Sequence, residues 1–111
     1  MDFFRIALLC ATLTCINACG QEEALEEVHI KIENHHFIPS HITIRAQSKI
    51  RLVVNNQDNS AEEFESFDLK RETIIPANTT GKIIIGPLAK GRYKFFGEFH
   101  EQTAQGVINV E

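Results

Sequence analysis

VHIKIE, residues 28–33, alternates apolar Val28, Ile30 and Ile32 with polar His29, Lys31 and Glu33. A period of two sends one set of side chains to a buried face and the other to water, the mark of a strand in a half-buried sheet. Toward the C-terminus the alternation returns after Pro39 in Ile42, Ile44 and Ala46. Residues 50–55 follow as a denser apolar run that stops in the polar Asn56-Gln57-Asp58-Asn59-Ser60 loop. Strand-like runs recur at 72–76, 82–85, 92–96 and 107–110, punctuated by turns at Pro76-Ala77-Asn78, Gly86-Pro87 and Lys90-Gly91. Residues 61–69 mix acids with aromatic and aliphatic side chains, and a helix could be drawn through 61–71. Every neighbouring segment is β, so a short strand leading to a loop is the consistent reading. Short strands at regular spacing predict an all-β sandwich of about seven to eight strands. Tyr93, Phe95 and Phe99 are expected to alternate into its core.

Upstream of Val28, residues 21–27 (QEEALEE) hold four acids and little apolar surface, which predicts a solvated tether. Residues 6–16 form an apolar run behind a short segment with one basic side chain, Arg5. Eleven residues fall short of the about 20 that a spanning helix needs, so residues 1–18 read as an export signal. The run ends in Ile16-Asn17-Ala18-Cys19-Gly20, which resembles a bacterial lipobox. Cleavage before Cys19 would leave it as a lipid-bearing anchor, and residues 19–27 as anchor and tether on the periplasmic or cell-surface side of a membrane. Ordinary cleavage near Gly20, giving a soluble exported domain, is the alternative. All three cysteines, Cys10, Cys15 and Cys19, fall in this leader or at its end, and the sole methionine is Met1. Residues 28–111 therefore have no disulfide and depend on their core for stability. The net charge of −4, with eleven scattered Lys and Arg, argues against nucleic acid as a partner and favours cations.

Over residues 28–111 the chain resembles the cupredoxin family, whose fold is a Greek-key β-sandwich. The resemblance is carried by Phe37-Ile-Pro39 before Ile42-Thr-Ile44, Val-Val-Asn-Asn ending at Asn56, and Gly-Pro-Leu before Gly91-Arg-Tyr93. The spacing from Tyr93 to His100 and the closing Gly106-Val-Ile-Asn-Val110 complete it. Carried over residue by residue, the resemblance puts an acid, Glu62 or Glu63, in place of the first copper-binding histidine. Gly97 falls in place of the cysteine, His100 on the matching histidine, and Ala104 or Gln105 near the methionine. A blue copper centre takes its character from a copper–thiolate bond, so no blue-copper electron carrier is expected. Glu-Glu-Phe-Glu-Ser from Glu62, Asp-Leu-Lys-Arg-Glu from Asp68 and Phe-Phe-Gly-Glu-Phe-His from Phe95 look like the cupredoxin-like components of bacterial high-affinity iron uptake, the EfeO type. That narrower likeness implies a metal-binding protein acting in iron or copper acquisition beside a membrane permease.

Carboxylate and imidazole in place of sulfur shift preference from Cu(I) toward Fe(III), Fe(II), Mn(II) or Cu(II). On a strand Glu63 and Glu65 share a face, as Glu98 and His100 would. The expectation is one site for an iron or copper ion made from Glu62, Glu63 or Glu65 together with Glu98 and His100. His35 and His36 form a secondary candidate, although neighbours on a strand face opposite ways and would ligate jointly only from a loop. Against these stand plainer readings. On these the glutamates keep an exposed strand edge soluble, Glu98 and His100 form an ion pair, and Gly97 supplies a positive φ. Glu72 and Asp68 have no stated partner. No nucleophile paired with a base is visible, so enzymatic chemistry is limited to a ferroxidase-like preference for Fe(III). A metal-free sandwich serving as an interaction or assembly module is the competing functional class.

Overall fold

A computed structural model describes residues 24–111. The expected export signal, residues 1–18, and the expected anchor Cys19 lie outside the described residues. Among the described residues nine strands form two sheets. One has four strands: β1 (Glu26–Glu33) is flanked by β2 (His36–Ile38) and by β4 (Ile50–Asn56), and β4 in turn carries β7 (Thr80–Ile85). The other orders β3 (His41–Ile44), β9 (Gln105–Val110), β8 (Gly91–Gly97), β5 (Glu62–Ser66) and β6 (Arg71–Ile75). β1 runs parallel to β4 and β3 to β9, and every other pairing is antiparallel. Among the described residues there is no α-helix, only one 3-10 turn, Glu98–His100.

The alternation that predicted strands is the alternation of burial. Ile30 and Ile32 of β1, Ile50, Leu52 and Val54 of β4, Ile83 and Ile85 of β7, and Ile108 and Val110 of β9 all meet between the sheets. At the centre sit three phenylalanines: Phe37 packs edge-on to Phe95 at 4.9 Å, and Phe95 stacks on Phe64 at 5.1 Å. Residues 61–69 do contain a strand, β5, and no helix. β1 begins at Glu26, two residues before the expected start, because Glu26 and Glu27 pair with Ile50 and Arg51 of β4. The three-residue β2 is the strand that periodicity does not reveal. Asn34 and His35, with φ of 52° and 60°, turn the chain tightly so that His36 can pair with Glu33. Phe99, expected in the core, is 48% exposed, since the 3-10 turn ends the strand alternation at Gly97.

The two open edges formed by β6 and β7 lie side by side. Arg71 of β6 donates from Nε to the Ile84 carbonyl of β7 at 3.1 Å, across the gap between sheets. At the end of β4, the fully buried Asn56 donates from Nδ2 to the carbonyls of Ser60 at 2.9 Å and Ile75 at 3.1 Å, and its Oδ1 accepts from the Asp58 amide at 3.0 Å. This side chain holds the 57–60 loop against β6. Asn56→Ala strands those groups in a buried setting and is expected to cost about 1–3 kcal/mol, measured by urea denaturation.

Candidate metal centre

Consecutive residues on a strand face opposite ways, and on β5 that parity sorts the glutamates. Glu62 points inward with Phe64 and Ser66, while Glu63 and Glu65 lie on the outer face of the five-stranded sheet. The 3-10 turn does the same sorting on the other side. With three residues per turn, i and i+2 no longer share a face, so Glu98 and His100 diverge where a strand would have kept them together. The single site expected from sequence is therefore two clusters, and the reason is local backbone geometry.

The outer cluster is Glu63, Glu65, Glu72 and Glu98, each with one carboxylate oxygen within 4.8 Å of the others'. Glu72 enters because it stands opposite Glu65 across the β5–β6 pair. Glu63 and Glu65 are only 6% and 9% exposed, which overturns the expectation of a soluble strand edge. Glu63 Oε1 and Glu65 Oε2 are buried with no hydrogen-bond partner. The ion pairs found among the described residues give none of the four a Lys or Arg. Electrostatics responds as it must. Glu72, close enough to bond Glu63 only through a shared proton, pushes the Glu63 carboxyl up to about 8, with burial and Glu98 acting in the same direction. Burial first, then the charges of Glu72 and Glu98, raises Glu65 as well. Four carboxylates without a counter-charge leave protons or an oxygen-preferring cation as the ways to neutralise the basin.

The inner cluster is Glu62, His100 and His35, again with ligand atoms within 4.8 Å of one another. Glu62 is 1% exposed. Its Oε1 accepts from the amides of Glu63 and Phe99, both at 3.0 Å, and its Oε2 lies 2.5 Å from His100 Nδ1. The pair formed by His100 is thus with Glu62, not with Glu98. The His35 ring stacks on that of His100, centroids 3.5 Å apart and planes 12° from parallel. His35 arrives from the β1–β2 turn, whose amides at Asn34 and His35 donate to the Asp58 carboxylate at 2.8 and 3.0 Å. Burial works to raise the Asp58 carboxyl, yet those two amides, aided by nearby histidines, hold it below its usual value. His35 Nδ1 is buried without a hydrogen-bond partner, 3.4 Å from Asp58 Oδ2. His36 joins neither cluster. It is exposed, with Nδ1 turned to the Asn34 carbonyl at 2.7 Å.

Sequence reasoning missed Glu72 and underrated His35. Both signals were present. Glu65 and Glu72 each lie one residue outside the Ser66–Arg71 pair that flanks the β5–β6 turn, so reading that hairpin places them opposite each other. Asn34 before His35 is the turn-former that takes His35 out of any strand.

Over residues 5–110 the sequence matches the family described as the cupredoxin-like domain. An uncharacterized protein of Rickettsia prowazekii (strain Madrid E), RP394, is 46% identical over 84 residues, 76% of this chain and 67% of its own length. Auracyanin A, described as a blue copper protein of Chloroflexus aurantiacus, superposes with a TM-score of 0.69 at 14% identity, covering 79% of this chain and 100% of its own. The metal-binding domain of the Cu(I)-exporting P-type ATPase CopA of Streptococcus pneumoniae D39 gives 0.68 at 18% identity, covering 83% and 91%. At such identities these two establish the fold. A blue copper centre requires a thiolate, and none of residues 24–111 is a cysteine or a methionine. The described residues offer carboxylate and imidazole only, and do not fit that centre. By its sequence match and its architecture, the chain belongs to the cupredoxin-like family.

Proposed function

We propose that this protein is an exported, membrane-anchored metal-binding protein that acts in iron or copper acquisition beside a permease, and is not a blue-copper electron carrier. The observation that carries the reading is the pair of buried carboxylate oxygens, Glu63 Oε1 and Glu65 Oε2, without a donor, inside a group of four glutamates. Such oxygens are costly to bury unless a cation or protons complete the site. An all-oxygen basin suits Fe(III) and other hard ions, whereas the Glu62–His100–His35 cluster, with imidazole nitrogen, suits Cu(II) or Fe(II). Cys19 would carry the lipid anchor on the periplasmic or cell-surface side. Preference for Fe(III) at the basin would lower the potential of bound iron, so that dioxygen could take one electron from each of four Fe(II) ions and, with four protons from solvent, become two waters, a ferroxidase-like effect of binding.

Titration of the purified protein with ferric citrate and with copper(II) sulfate tests the reading. Stoichiometric iron binding is expected, weakened at least about ten-fold in Glu63→Gln/Glu98→Gln, which removes two ligands where loss of a supporting contact alone typically costs 10–100-fold. Copper binding should weaken in His100→Ala. Binding unaltered by both sets of substitutions, or no binding of either ion, overturns it. Labelled palmitate incorporated into the parent and not into Cys19→Ala would support the anchor.

A further inference from the structure

Gly97 raises a question that its backbone does not answer. Its φ of −94° and ψ of 110° are ordinary extended values open to any residue, so the positive φ expected of this glycine is absent. Space is the reason instead. A Cβ built on Gly97 would lie 2.6 Å from Ala104 Cβ, 2.6 Å from Glu62 Cδ and 2.8 Å from Glu62 Oε1. The strand cannot withdraw, because the Gly97 amide donates to the Ala104 carbonyl at 2.8 Å and Gly97 pairs with Phe64 of β5. Nor is the Glu62 carboxyl loose, since its two oxygens are held by the Glu63 and Phe99 amides and by His100 Nδ1. Ala104 is fully buried and presents only a methyl group to the same space.

We propose that Gly97 and Ala104 are the residues that decide the ligand class at one pole of the sandwich, the end that holds the Glu62, His100 and His35 cluster. By carrying almost no side chain they leave the volume that the Glu62 carboxyl fills, and the carboxyl, once there, shuts out a sulfur ligand from β8. A thiolate at position 97 and a carboxylate at position 62 are then mutually exclusive, because the Cβ of any side chain at 97 would meet the Glu62 carboxyl carbon and oxygen at less than van der Waals contact. The pole is committed to oxygen and nitrogen donors by packing, before any ion arrives. This inference rests on the reading that the pole binds a metal, but its first test needs none.

The test is a double-mutant cycle on the full chain without metal, with Gly97→Ala, Glu62→Ala and both together, read by thermal unfolding. Gly97→Ala is expected to lower Tm by about 4–8 °C or more, the effect of overpacking a closed site in a domain of this size. In the Glu62→Ala background the same substitution should cost less, because the carboxyl it strikes is gone and only the Ala104 methyl remains in its way. Additive effects, or a Gly97→Ala protein that melts with the parent, overturn the proposal. A second arm reads visible thiolate-to-copper absorption after addition of copper(II), over the background set by the parent's own three cysteines. The band is expected in Gly97→Cys/Glu62→Ala/Ala104→Gly and not in Gly97→Cys/Ala104→Gly, the Ala104→Gly change removing in both the methyl that the new Cβ would strike. An equal band in the variant that keeps Glu62 overturns the exclusion. A non-additive cycle in a protein that binds no metal would leave the packing inference standing while the proposed function falls.

Discussion

Phe64→Ala is expected to lower the free energy of unfolding by about 3–5 kcal/mol, a large share of the roughly 5–15 kcal/mol that holds a domain together. Phe64 is fully buried, stacked on Phe95 at 5.1 Å and meeting Phe37 edge-on at 6.1 Å. Its removal opens a cavity between the sheets and takes from Phe37 and Phe95 the ring they pack against. The same strand presents Glu63 and Glu65 on its other face, so the cation basin should loosen together with the core. Urea denaturation of Phe64→Ala beside Phe64→Leu measures this, with the leucine variant losing much less. A loss under about 1 kcal/mol for alanine would mean that the three rings are not the centre of the core.

Stability should also fall as pH rises from about 5 to above 8, the reverse of ordinary acid denaturation. A carboxyl whose ordinary value is 4.5 and which titrates at about 8 when folded binds more protons in the native state throughout that window. Stability then declines with each step up in pH, with no further change below the unfolded value or above the folded one. Glu65, raised in the same direction, adds to the slope. Glu63→Gln is expected to flatten it. A cation bound in the basin replaces the protons, so added ferric ion at 100 times its dissociation constant should stabilise the parent by about 2.7 kcal/mol. Glu63→Gln/Glu98→Gln should lose that response. Thermal melts at the two ends of the window, with and without the ion, check both effects. Identical melting temperatures across the window would show that the four carboxylates do not interact.

Much of the architecture was legible because burial follows a period of two. Residues 50–55, 82–85 and 92–96 mark strands that the structure extends by only one or two residues at an end. The short β2 was hidden because three residues show too little alternation, and its existence depends on the Asn34–His35 turn. For the site, the residue types were visible and the partition was not. Glu62 and Glu63 are neighbours on a strand that the sequence does predict and so belong to opposite faces, but which of those faces meets His100 and which meets Glu72 depends on the pairing of β5 with β6 and β8. Glu98 and His100 were separated by a 3-10 turn that no periodicity announces. That Gly97 stands where the resemblance puts a cysteine is legible in the sequence, whereas its contact with Glu62, thirty-five positions away, is not.

Arg71 has a consequence of another kind. A sandwich of two unclosed sheets offers bare rims on which a passing extended chain could lay itself down. Here a guanidinium reaching from one layer to a carbonyl of the other fastens that seam like a clasp. At this rim an intruding segment would have to undo the clasp before it could pair with β6 or β7.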